Sequence, residues 1–231
     1  MVYKPLIKFV KDNKNVDIFC FQEVTNGDEL AEHVKAGNKN MLKTLMKVLK
    51  HFNFYYAPYQ GNEVGLATFI NKKIAVDRYE ESFVYRWYGA MIGKDISTLG
   101  RNIQLIEIIK NGQKYSVINF HGLWNGQGKS DTNDRLDQSR NVKKVMDKAK
   151  GKKILVGDFN LLPDTNSLNI LEKGMRNLIK EFNIKDTRGE LYEKELRFAD
   201  YALVSPDVMA LDFKVLNEKI SDHLPLYLEF E

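Results

Sequence analysis

The segment Lys152–Leu161 reads KKILVGDFNL, an apolar run broken by Gly157 and followed at once by Asp158, Phe159 and Asn160. Side chains alternate along an extended chain, so Asp158 and Asn160 share one side while Phe159 takes the other. A carboxylate beside a carboxamide at a strand end can hold a water molecule, a metal ion or a phosphate. It can equally close a turn, because Asp and Asn bond their own backbone, and for this stretch alone the turn is the commoner reading. Similar placements recur elsewhere. VDIFCFQEV ends in Gln22-Glu23, YSVINFHG carries Asn119 and His121, FADYALVS begins with Asp200, and SDHLPLYLEF opens with Asp222-His223. Each alone has a plain explanation: Glu23 a solvated strand end, His121 a satisfied core histidine, Ser221-Asp222 a turn ahead of Pro225. Yet the chain has only four histidines, and two of them stand in these places. Polar groups at five strand ends point to one shared site rather than to independent turns.

The elements that must position these groups are legible from periodicity. Leu6, Ile7, Phe9 and Val10 form a helical stripe behind Pro5, which suits a first helical turn. VDIFCFQEV is dense in β-branched and aromatic residues and reads as a strand. Apolar residues between Asn40 and Phe52 follow helical spacing, and FYYAP, VGLATFIN and KIAVD are short strand candidates. RNIQLIEIIKNGQKYSVINFHG places two strand-like runs around Asn111-Gly112, a dipeptide suited to a type I′ hairpin turn. After the loop GLWNGQGKSDTND comes a helix, roughly 134–150, closed by Gly151. Leu168–Leu171 and Met175–Phe182 suggest further helices, and ADYALVS, ALDFKVL and LPLYLEFE supply the last strands. Hairpins interleaved with helices imply mixed sheets covered by helices.

Bulk composition narrows the class. The 231 residues carry no low-complexity tract, repeat or Pro/Gly/Ser-rich linker, so residues 1–231 read as a single domain. With 43% hydrophobic and 29% charged residues the chain can bury a sizeable core. A net charge of +4 is compatible with a phosphate-bearing partner without requiring one. Cys20 is the single cysteine, which excludes an internal disulfide and a cysteine-based zinc site and fits a reducing compartment. No stretch is long enough for a membrane span and the N-terminus lacks a signal-peptide core, so the expectation is a cytoplasmic monomer.

The ordered set FQEV, NFHG, GDFN, ADYALV and SDHLPL resembles the endonuclease/exonuclease/phosphatase superfamily, in particular its deoxyribonuclease-like and sphingomyelinase-like branch. The likeness runs from about Asp17 to the C-terminus and keeps the family order. It implies an α/β fold, a four-layer α/β/β/α sandwich of two mixed β-sheets flanked by helices (DNase I-like), with the site at one end of the sheets. It also implies a divalent-metal-dependent hydrolase of phosphodiester bonds, an endonuclease or exonuclease on nucleic acid. The alternatives are a phosphatase or phosphodiesterase acting on a small or lipid phosphate and, from a different class, a non-catalytic scaffold.

Residue by residue, the resemblance makes Glu23 a ligand of the cation and Asp222 an acid approaching the same metal. A hard, oxygen-rich set without cysteine suits Mg²⁺, with Mn²⁺ as the substitute. Asp158 would orient or deprotonate the attacking water, and Asn160 would hold that water or a phosphate oxygen. Asp200 and His223 resemble the family's Asp–His pair, whose imidazolium binds phosphoryl oxygens. His121 is the candidate proton donor to the leaving oxygen, and Arg101, opening a hairpin strand, a candidate phosphate clamp against the alternative of a surface arginine. Glu63 is read either as the group that orients His121 or as a plain loop acid, and Trp124 as a packing or rim residue. Relatives usually begin with a strand ending in a metal-binding Asn. Only sixteen residues precede Asp17 and they read as a helix, so that strand is expected to be missing.

Overall fold

The computed structural model describes residues 3–27, 40–60, 63–91 and 98–231. In chain order these give α1 (Tyr3–Asp12), β1 (Ile18–Thr25), α2 (Met41–Val48), β2 (Phe52–Gln60), β3 (Val64–Asn71), β4 (Ala75–Tyr85), β5 (Arg101–Lys110) and β6 (Gln113–His121). Then follow α3 (Asn133–Lys148), β7 (Lys152–Asp158), α4 (Asn166–Glu172), β8 (Arg176–Asn177), α5 (Leu178–Glu181), β9 (Asp200–Val204), β10 (Ala210–Val215) and β11 (Leu226–Phe230).

Two sheets carry the architecture. A six-stranded sheet runs β4-β5-β6-β7-β9-β8 and a three-stranded one β1-β3-β2, with β10-β11 as a separate ribbon. The large sheet is mixed because β6 and β7 are parallel, joined by the α3 crossover, while its other pairs are antiparallel. The three-stranded sheet is antiparallel throughout its described pairs, a simpler pattern than two mixed sheets. Alternation along β1 shows how the layers form. Phe19 and Phe21 point into a core shared with Ile7 and Val10 of α1 and Leu42 and Leu45 of α2. Ile18 and Cys20 point the other way, onto the core of the large sheet. Helices therefore cover the small sheet outside while its inner face meets the large sheet.

The Asn111-Gly112 turn has positive φ at both residues, 51° and 75°, and pins β5 to β6. Two elements differ from their periodicity. The α2 helix stops at Val48, because Phe52 already pairs with Asn71 as a strand. The Met175–Phe182 run yields only the short α5. Arg176 and Asn177 pair with β9, and Asn177 Oδ1 caps α5 by accepting from Ile179 N at 2.9 Å.

Asn119, whose alternation with His121 suggested a site, instead stitches the two sheets together. Its Nδ2 donates to Phe21 O at 3.1 Å and to Thr68 Oγ1 at 3.1 Å, and its Oδ1 accepts from Gln22 Nε2 at 2.7 Å. Truncating a buried amide leaves such partners dry and unpaired. Asn119→Ala should therefore cost about 3 kcal/mol by summing roughly 1–3 kcal/mol per orphaned group. Urea unfolding would read this as a lower midpoint at an unchanged slope. A midpoint equal to that of the wild type would show that the amide network contributes nothing.

Candidate active site

The site is a row across one end of the large sheet. Cross-strand register sets His121 opposite Asp158, and Asp158 opposite Asp200. Gly157 makes this possible: at its φ of +140° a Cβ would lie 1.9 Å from Phe120 O, so only glycine lets β7 close against β6 here. Directly opposed carboxylates repel, so the Asp158–Asp200 pair needs a cation.

His223 supplies one. Its Nδ1 lies 2.8 and 2.9 Å from the two Asp200 carboxylate oxygens, and its Nε2 lies 3.5 Å from Asp158 Oδ2. The segment around Thr187 holds both partners in place. Asp200 N donates to Thr187 Oγ1 at 3.2 Å, while Leu224 N donates to Thr187 O and Gly189 N to Asp222 O, each at 3.0 Å. Burial alone would lower the His223 pKa, but Asp200 and then Asp158 outweigh it and raise the value to about 9. Burial, opposed chiefly by His223, lifts Asp158 to about 6. A protonated imidazole thus bridges two carboxylates, one of which titrates close to neutrality.

Asp158-Phe159-Asn160 forms the turn that its residue types suggest. Asn160 N donates to Asp158 Oδ1 at 2.8 Å, a local turn that sets Asn160 at a φ of +52°. That turn aims the Asn160 amide inward, with Nδ2 3.3 Å from Gly122 O and 3.4 Å from His121 Nε2. His121 is 3% exposed, edge-on to Tyr59, and its Nδ1 has no hydrogen-bond partner among the described residues. Burial first, then Arg101, His223 and Arg188, push its pKa well below the usual histidine value. His121 is therefore neutral at neutral pH, which shifts proton storage to His223.

The other expected residues divide. Glu23 stands on the β1 bulge at a φ of +55°, exposed, with Oε1 3.9 Å from His121 Nε2. Asp158 Oδ2 lies at the same 3.9 Å from that nitrogen, so the two carboxylates flank one imidazole. Arg101 is buried rather than a surface side chain. Its guanidinium sits 5.1 Å from the Tyr59 ring centroid, its Nη1 reaches Gly100 O at 3.3 Å, and its Nε has no partner among the described residues. Asp222 does not join the other acids: its Oδ2 accepts from Arg188 Nη1 at 2.7 Å. Glu63 lies ahead of β3, where its carbonyl accepts from Asn26 N at 2.7 Å. Trp124 is half-buried beneath Lys194, whose Nζ lies 5.4 Å from the ring centroid.

Two cations went unnoticed in the sequence. Arg188 is buried with its guanidinium 4.5 Å from the Tyr192 ring centroid. Lys129, also buried, donates to Phe198 O at 2.8 Å, and burial together with Arg188 draws its pKa down to about 8. A lone cation in a loop follows no period, so no pattern marks either one.

The donors suit a divalent cation. Asp158, Asp200 and His223 each offer a ligand atom, all within 4.8 Å of one another. Burial is the main cause of the raised Asp158 pKa, and a cation held beside that buried carboxylate would favour its charged form. His223, holding its proton between carboxylates, is the weakest ligand of the set, so oxygen donors dominate and a hard ion fits best.

The family model described as Endonuclease/Exonuclease/phosphatase family matches residues 3–223. Comparison with curated protein sequences gives no match. Among solved structures, a mannosyl-6-phosphatase from Bacteroides thetaiotaomicron superposes with a TM-score of 0.76 at 17% identity, covering 99% of this chain and 90% of that one. TDP2 from D. rerio, complexed with a single-strand DNA product, superposes with a TM-score of 0.73 at 16% identity, covering 100% and 91%. ANGEL2, a 2′,3′-cyclic phosphatase, gives 0.71 at 14% identity, covering 98% and 84%. Likeness at such identities establishes the shared DNase I-like fold.

Proposed function

The chain belongs to the endonuclease/exonuclease/phosphatase family, whose members are phosphoric ester hydrolases, and from that premise we propose that it is a divalent-metal-dependent phosphodiesterase acting on nucleic acid. The observation that carries this reading is the row His121–Asp158–Asp200 bridged by His223. Hydrolysis of a phosphodiester needs a positioned water, charge against the phosphoryl oxygens and a proton for the departing oxygen. Asp158, titrating at about 6, is a base matched to neutral pH and would take the water's proton. Asn160 would orient that water or one phosphoryl oxygen through its amide. His223, protonated up to about pH 9, would face the phosphoryl charge and hold the proton that the leaving oxygen needs. Neutral His121 would act as a hydrogen-bonding partner rather than as the acid.

Glu23 would hold Mg²⁺ or Mn²⁺ beside the Asp158–Asp200 pair, and the ion would supply positive charge against the non-bridging phosphate oxygens. Asp222, engaged by Arg188, is left out of this assignment. A second reading, a phosphatase on a small phosphate, is supported by the sugar-phosphate phosphatase among the structural neighbours.

A panel of plasmid DNA, single-stranded RNA, sphingomyelin, inositol phosphates and a chromogenic diester, each with Mg²⁺, Mn²⁺ or EDTA, separates these readings. Nucleic acid should be hydrolysed, and EDTA should abolish turnover. Glu23→Gln should raise the Mg²⁺ concentration for half-maximal rate by roughly tenfold or more, the usual scale for a perturbed metal site. Hydrolysis unchanged in EDTA would refute the metal dependence. Release of phosphate from monoesters alone would establish the second reading.

A further inference from the structure

Two adjacent aromatic side chains stand in solvent beside this site. Trp87 is 70% exposed and Tyr88 51%. They occupy the turn after β4, in which Arg86 has a φ of +54° and Gly89 a φ of +71°. Its backbone is tied down. Gly89 N donates to Tyr59 O at 3.1 Å, Ala90 N to Trp87 O at 3.0 Å, and Gly100 N to Ala90 O at 3.0 Å. A Cβ at Gly100 would fall 2.4 Å from Trp87 O, so the turn presses directly on the residue before Arg101. Tyr59, which anchors Gly89, is the ring that Arg101 covers and that meets His121 edge-on. The exposed pair is thus fixed to the wall of the candidate phosphate site.

Single exposed aromatics are ordinary on a protein surface. Two neighbours on a tethered turn, beside cations, form a different arrangement. Arg86 lies 5.2 Å from the Tyr85 ring centroid, and the buried Arg101 guanidinium lies behind the turn. Flat apolar faces next to positive charge match a nucleobase followed by its phosphate, because every base offers a π-face and the backbone supplies the anion. Bases inside a duplex are already stacked on each other, whereas a single strand or a frayed end presents them.

We propose that Trp87 and Tyr88 form a stacking subsite for the base flanking the scissile phosphate in single-stranded nucleic acid. This rests on the phosphodiesterase reading above and adds the form of the substrate. The Tyr88 ring already meets Phe83 edge-on, 6.3 Å between centroids, on a turn whose backbone is tethered.

The chain has two tryptophans, so Trp124→Phe leaves Trp87 as the sole tryptophan emitter. Titrating that variant with a short phosphorothioate oligothymidylate in Mg²⁺ should quench the emission saturably, and the same oligomer built of abasic units should not. In the otherwise unchanged chain, Trp87→Ala should raise KM for oligothymidylate about tenfold, the scale of one stacked base, with kcat held. Equal quenching by the abasic oligomer, or an unchanged KM, would overturn the subsite. An emission blue-shift with sphingomyelin–phosphatidylcholine vesicles and no response to the oligomer would overturn it in favour of a lipid surface. Base-dependent quenching in a protein that hydrolyses no nucleic acid would uphold the subsite and refute the phosphodiesterase reading instead.

Discussion

Replacing His223 by glutamine should lower kcat by about 10² or more, the usual contribution of a positioned charge or acid–base group. The imidazole is the only cation seen bridging Asp158 and Asp200 among the described residues, and glutamine keeps its length without its charge. The change should also leave a mark in folding that a bystander residue would not. The His223 pKa is raised from 6.5 to about 9 in the folded chain by its carboxylate partners, against the opposing effect of burial. A raised pKa means stability that is fully present below pH 6.5 and lost as the pH climbs through about 9. Melting curves in EDTA should therefore show the wild type losing stability across that window while His223→Gln shows a flatter response. A variant with wild-type kcat and a wild-type pH response would remove His223 from the site.

Asp158→Asn should cost kcat about 10²–10⁴, the range for removing a general base, and yet raise the melting temperature of the metal-free protein at pH 7. The two effects share one cause. Burial, reinforced by Asp200, lifts the Asp158 pKa from 3.8 to about 6 against the opposing pull of His223 and Arg188. The folded state thus favours the protonated carboxyl, and stability falls as pH rises from 3.8 through about 6. At neutral pH the ionised carboxylate is a liability to the fold that its chemistry requires. Asparagine removes the charge and keeps the shape, so the gain should vanish near pH 4, where aspartate is itself protonated. Loss of activity with loss of stability would instead assign Asp158 a purely structural role.

Much of this site was legible because its residues sit where strands end. His121, Asp158 and Asp200 sit at the ends of apolar strands whose period fixes which way they face, whereas Glu23 stands on the β1 bulge and His223 lies ahead of β11. Their assembly into one row was not legible. It depends on the β6–β7 register, set by the α3 crossover and by the close approach at Gly157, and register is a long-range property. Asp222 shows the same limit. Its neighbour His223 turns to Asp200, while Asp222 turns to Arg188, a residue brought in from a distant loop. The four-layer DNase I-like arrangement was implied by the family resemblance, whereas sheets covered by helices followed from interleaved hairpins and helices. The ends of α2 and α5 did not, because strand pairing at Phe52 and Asn177 overrode helical spacing.

The most direct test of the shared site is the double variant Asp158→Asn/His223→Gln, assayed with saturating Mg²⁺ on the substrate that the wild type hydrolyses fastest. If both residues serve one phosphoester-hydrolysing unit, the double loss in kcat should be close to the larger single loss rather than to the product of the two. A double variant that hydrolyses the substrate at the wild-type rate would contradict the account, placing the chemistry elsewhere on the chain.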